Sequence, residues 1–169
     1  MTAMTKTKRL TLCAVLIALA LALSYTERFI PLQLVIPLPG IKLGLANIVT
    51  LVTLFLLGIK PAFAVLILRC ALGSLFGGGI TGLLFSTTGG LFAMIAMAVS
   101  KKSRRFSVYG ISIFGAAAHH IGQIAAAIFL MHSVYVGAYL PYRLLVGIFT
   151  GFATAAAAAG VLRLMPREV

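Results

Sequence analysis

The sequence predicts an all-α integral membrane protein with six transmembrane helices. Three observations carry that expectation. Apolar residues make up 62% of the 169-residue chain and charged residues only 9%, too few to cover a soluble surface. Mean hydropathy is +1.14, so lipid is the solvent for most of the molecule. The basic residues fall in short clusters between apolar runs and form no aromatic-studded basic face. The net charge of +12 therefore speaks for membrane orientation and against nucleic acid as a partner. By length the chain is one domain, residues 1–169.

The first apolar run, residues 10–24, follows Lys6, Lys8 and Arg9. A basic start and an apolar core resemble a signal peptide, but no clear small-x-small cleavage site leads into a soluble chain, so the run reads as a retained helix. Ala14, Ala18 and Ala22 recur every four residues and form one stripe of small side chains. Such a stripe suits the close approach of another helix; internal packing is the plainer alternative. Residues 25–40, YTERFIPLQLVIPLPG, then leave the membrane as a long apolar connector, which reads as an external lid packed back on the spans.

Pro37 and Pro39 cannot continue a helix and Gly40 permits a tight turn, which places the start of helix 2 near Ile41 and its span at 41–57. Lys42 then lies in the first turn and Asn47 about a turn and a half deeper, a cation followed inward by an amide. The pair suits a binding-site wall; snorkelling by Lys42 and an interhelical bond from Asn47 are the alternatives. Gly58, Lys60 and Pro61 form a tight turn into helix 3, residues 61–76. Arg69 falls near mid-bilayer, where a buried guanidinium costs at least about 2.5–3.5 kcal/mol, so it must face protein, water or a ligand anion. A contact to backbone carbonyls at a broken helix is its structural alternative.

Gly77, Gly78 and Gly79 make the next turn, and helix 4 covers residues 80–99. Its Ser86, Thr87, Thr88, Gly89 and Gly90 weaken a helix in succession, which predicts a close crossing or a locally unwound segment. Residues 101–105, KKSRR, are the strongest topological marker. Helix 5, residues 108–131, carries His119, His120 and Gln123, spaced so that an imidazole and the amide share a face. Two histidines are too few for a metal site, which normally wants three or four ligands, so hydrogen bonding is the favoured role. Helix 6, residues 141–164, opens with Tyr142 and Arg143 and carries a second small stripe at Gly147, Gly151, Ala155 and Ala159.

The chain contains no aspartate, and its only glutamates are Glu27 and Glu168. Mg²⁺-dependent diphosphate chemistry needs carboxylates to hold the metal, and paired-carboxylate hydrolysis needs two in one site. Both are excluded, as is a carboxylate relay, since each glutamate lies at or beyond a span end. A nucleotide-binding Gly-rich loop is missing, and Cys13 and Cys70 sit in apolar runs without metal-ligand spacing. No cofactor, metal or catalytic residue is expected. With six spans, ten of the cations, from Lys6 through Lys60 and the KKSRR cluster to Arg167, fall on one side, and Arg28, Lys42 and Arg143 on the other. Both termini should then be cytoplasmic, with a pocket opening outward and lined by positive groups.

Six short spans, an extended first loop, the Ala14, Ala18, Ala22 stripe and the lack of any energy-coupling motif resemble an S component of an energy-coupling factor (ECF) transporter. The stretch PGIKLGLANIVTLVTLFLLG, with Arg69 following and LLFSTTGGLFAMIAM later, resembles more narrowly the Gx transporter family, also labelled heptaprenyl diphosphate synthase component I. The likeness covers most of residues 10–160, and PGIKLGLAN is its most specific part. The resemblance implies an S-component-like bundle in which the alanine stripe docks a transmembrane coupling subunit, with two separate ATPase subunits supplying energy. The synthase label conflicts with a chain that has no aspartate for an Mg²⁺-diphosphate motif.

The first functional reading is therefore a substrate-binding subunit of the cell membrane. Its small-molecule substrate would be vitamin-like or a quinone or isoprenoid precursor bearing negative charge. Lys42, Arg69 and Arg143 would hold the anionic groups, while Asn47, His119 and Gln123 would orient the molecule by hydrogen bonds. The alternative is a non-catalytic membrane accessory protein of prenyl diphosphate or quinone biosynthesis. A subunit of an electron-transfer complex has no haem-ligand pair or Cys cluster to support it.

Overall fold

The computed structural model describes residues 5–29 and 42–164. The described residues form six α-helices and no strand. These are α1 (Lys6–Thr26), α2 (Asn47–Leu56), α3 (Ile59–Gly73), α4 (Gly79–Lys102), α5 (Val108–Met131) and α6 (Leu140–Leu164). Short helical turns at Glu27–Phe29, Ser74–Gly78 and Val134–Tyr139 join or extend them. Local chemistry sets several ends. Thr5 caps α1 by accepting the Lys8 N–H, and Ser107 caps α5 by accepting the Gly110 N–H. His132, with φ 48°, ends α5 in a left-handed conformation.

α2 is the central element. Seven of its ten residues are buried, and it contacts α1, α3, α4 and α6. Its polar residues Asn47, Thr50 and Thr53 recur every three positions on one face and are buried too, so even the polar side of α2 is enclosed by other helices. Its Leu51 and Leu54 join Leu66, Met94, Met97 and Ile111 in the largest core cluster. α4 packs most extensively on α5, and α5 on α6. Glycines permit the close approach: a Cβ at Gly122 would stand 2.7 Å from the Thr88 carbonyl oxygen, and one at Gly90 would stand 2.5 Å from Leu66 Cδ1. The weak segment of residues 86–90 is thus a close crossing within a continuous α4, not an unwound one. The unwinding falls earlier, at Phe76 (ψ 37°) and Gly77 (φ 97°), where the chain folds back so that α3 and α4 lie side by side.

Four helical stretches are long and apolar enough to cross a membrane: Lys6–Thr26, Ile59–Lys102, Val108–Met131 and Val134–Leu164. The third and fourth expected spans belong to one 44-residue stretch broken at the Phe76–Gly77 turn. α2, at 10 residues, is about 15 Å long, half a hydrocarbon core. Its start also differs from expectation. Residues 42–44 are not helical, Gly44 has φ 90°, and the helix begins at Asn47 rather than near Ile41. The prolines that suggested the earlier start fall in residues 30–41, outside the described residues, as does most of the proposed lid. Its first residues, 25–29, differ from expectation by continuing the helix, as the end of α1 and the turn Glu27–Phe29. Large apolar side chains such as Ile80, Phe129 and Phe149 are exposed on the outside of the bundle, as in a protein solvated by lipid. The chain is a helical membrane protein.

Candidate functional site

Lys42 and Arg69 meet at a cavity of about 470 Å³ between α1, α3 and α4. Apart from these cations, Ser24, Tyr25 and Ser86, its lining is apolar, contributed by Leu21, Cys70 and Phe76 among others. The non-helical segment before α2 carries Lys42 across to α4, where its Nζ donates to Ser86 Oγ at 2.8 Å. Arg69, only 6% exposed, donates from Nη2 to Asn47 Oδ1 at 3.1 Å. Asn47 therefore stands behind the guanidinium and orients it. Arg69 Nε has no hydrogen-bond partner among the described residues.

A second polar group lies deeper, between α5 and α6. Arg143 Nη2 donates to Gln123 Oε1, to His120 Nδ1, and to the Lys42 backbone carbonyl at 3.3 Å. The Gln123 amide nitrogen lies 3.0 Å from His119 Nε2. Because Arg143 and the Gln123 amide nitrogen can only donate, His120 Nδ1 and His119 Nε2 act as acceptors, which places the ring protons on His120 Nε2 and His119 Nδ1. His120 Nε2 and Arg143 Nε lack partners among the described residues, while the His119 ring lies against the Gly89 backbone. The unmatched nitrogens of both groups are thus donors, a surplus suited to an acceptor-rich guest.

Glycines make room for both rings. A Cβ at Gly89 would stand 2.8 Å from His119 Cε1, and one at Gly147 would stand 2.7 Å from His120 Cδ2. Gly44, already in the left-handed region, would meet Asn47 Nδ2 at 2.9 Å. The small stripe on α6 accordingly packs inward on α5, with Gly147, Gly151 and Ala155 buried.

The six residues expected to form a site thus divide. Lys42 and Arg69 line the cavity, and Asn47 supports Arg69. His119, Gln123 and Arg143 form a neighbouring buried network joined to it through the Lys42 carbonyl. Glu27 belongs beside them and was missed. It is 4% exposed and its carboxylate accepts the Leu45 N–H. Burial pushes its carboxyl above the ordinary value, opposed by the Leu45 N–H and by the charges of Arg69 and Lys42. His120 and Ser86 were also not among the expected site residues. The spacing of His119 and Gln123 pointed to their pairing and Arg143 was expected at the site, but nothing local in the sequence showed that Arg143 joins them through Gln123 and His120.

The α1 stripe of Ala14, Ala18 and Ala22 is exposed, while Leu16, Ala20 and Ser24 are the buried residues of that helix. Ala18 and Ala22 also border the cavity. Among the described residues, no cluster of three or more His, Cys, Asp or Glu side chains could hold a metal ion. A comparison with curated proteins finds no match, and neither does one with solved structures. Residues 16–161, most of the chain, match the family model for heptaprenyl diphosphate synthase component I, and the protein belongs to that family.

Proposed function

We propose that this protein is the substrate-binding subunit of an ECF-type importer, a non-catalytic S component with six spans and both termini in the cytoplasm. Its substrate is a small molecule with an anionic group and an apolar body, of the vitamin or of the quinone and isoprenoid precursor class. The observation that carries this reading is the approach of Lys42 and Arg69 to one largely apolar cavity. A cavity of that volume falls in the range of small-molecule sites, and a buried cation with an unmatched N–H calls for an anionic acceptor. Arg143 and the histidine pair support the Lys42 segment from behind. The exposed alanine stripe supplies a face for a transmembrane coupling subunit, which would bring two ATPase subunits with it.

The test is ligand-linked stabilisation. Extract from host membranes, added to stripped protein, should raise the thermal midpoint of the wild type, because a ligand that binds the folded state alone stabilises it by RT ln(1 + [L]/Kd). Arg69→Ala should remove that shift. An equal shift in both proteins would leave Arg69 with a purely structural role.

The family's description favours one second reading, a membrane accessory to prenyl diphosphate synthesis that assists a separate synthase. Catalysis by this chain is not part of it, since a chain without aspartate offers no aspartate-rich motif for Mg²⁺-diphosphate. Co-purification with a soluble synthase and no small ligand would favour that reading.

A further inference from the structure

The opposite end of α1 gathers positive charge for which the cavity above has no use. Arg9, Lys60, Lys101, Lys102 and Arg104 line a second cavity of about 550 Å³ around the Gly58 turn between α2 and α3. Two of the five hold the fold together. Arg9 Nη2 donates to the Leu57 carbonyl at 2.9 Å and Lys101 Nζ to the Leu54 carbonyl at 2.6 Å, closing the C-terminal end of α2. The other three, Lys60, Lys102 and Arg104, are exposed, and no hydrogen bond from their side chains is seen among the described residues. The N-terminus of α3 lies at the same turn without a side-chain cap and adds the positive end of its dipole.

Among the described residues no acid lies near this charge. Glu27 is the only acidic residue among those described, and it stands 18 positions after Arg9, about 27 Å along a helix. Five cations around one cavity repel one another unless an anion joins them. The surroundings identify the anion's source. Ile59, which lines the cavity, is 52% exposed, and Leu10 and Val99, next in sequence to Arg9 and to the lining residue Ala98, are 73% and 65% exposed. Cations beside exposed apolar side chains at the ends of membrane helices match a phospholipid, with phosphate on the charges and acyl chains along the apolar residues.

We infer that this corner is a binding site for an anionic phospholipid, its phosphate held by Lys60, Lys102 and Arg104. The inference stands apart from the transport reading, because it uses none of the residues of the Lys42–Arg69 cavity. The experiment is native mass spectrometry of the detergent-purified full chain titrated with phosphatidylglycerol or phosphatidylcholine. A variant carrying Lys60→Gln, Lys102→Gln and Arg104→Gln is run beside it; Arg9 and Lys101 stay in place, so the end of α2 remains closed. The wild type should retain phosphatidylglycerol over phosphatidylcholine, and the triple variant should lose at least about tenfold in apparent affinity for the anionic lipid alone. Equal retention of the two lipids, or an unchanged preference in a triple variant of unchanged thermal midpoint, would overturn it. Inorganic phosphate bound at the same three residues without any lipid preference would overturn the lipid as the source.

Discussion

At the scale of single residues, the protein places its few polar groups where hydrogen bonds decide their orientation. Arg69 is held by Asn47, and Arg143 by Gln123 and His120. Among the described residues Glu27 is the one carboxylate beside these cations, and its raised pKa has a consequence for stability. Between 4.5, its ordinary value, and its higher folded value, the folded state holds more protons than the unfolded state. Stability from this group is therefore present below that window and declines as pH rises through it. Glu27→Gln, which still offers an oxygen to Leu45, should flatten that decline in a series of thermal melts across pH. Parallel curves for variant and wild type would show that Glu27 does not titrate there. Gly89 gives a second prediction. A Val side chain would press on the His119 ring, 2.8 Å from its Cβ, and should lower stability by about 1–3 kcal/mol in thermal unfolding. An unchanged midpoint would mean that His119 moves aside freely.

At the scale of elements, legibility depended on whether the signal was local. α5 was expected at residues 108–131 and spans Val108–Met131, because Ser107 at its start and the polar break at His132 and Ser133 are short-range features. Helix 2 was expected to start about six residues too early. Pro39 and Gly40 mark where a helix cannot lie, but the true start was set by Gly44 and by the reach of Lys42 to Ser86, a contact across 44 residues. The Arg143 bond to the Lys42 carbonyl spans 101 residues and leaves no periodic trace in the sequence. Glu27 escaped the site reading for the same reason: it lies at a span end in sequence, and its partners Leu45, Arg69 and Lys42 come from other parts of the chain. The alanine stripe of α1 yields a prediction at this scale. On the proposed function, Ala14→Trp with Ala18→Trp should release the coupling subunit while leaving the protein folded, since both positions are exposed. Ala14→Trp alone, clear of the cavity that Ala18 borders, separates docking from ligand binding. Retention of that subunit at wild-type level would remove α1 as the docking face.

At the scale of the whole molecule, charge and apolar surface divide the work. Apolar side chains cover the outside, the basic corner occupies one end of α1, and the buried cations gather toward the other. Because α2 is short and enclosed, its N-terminal approach can carry Lys42 into the bundle while its C-terminal end is closed by Arg9 and Lys101. That division is what a membrane subunit needs if it is to present a polar recess without exposing charge to lipid. The measurement that tests this most directly is native mass spectrometry of the protein purified from its host in mild detergent, with the wild type and Arg69→Ala compared under identical conditions. The account predicts that the wild type retains a small anionic molecule of a few hundred daltons and that the variant is empty. A wild type that repeatedly arrives without ligand but with a soluble synthase bound, or a variant that retains the same molecule, would contradict it.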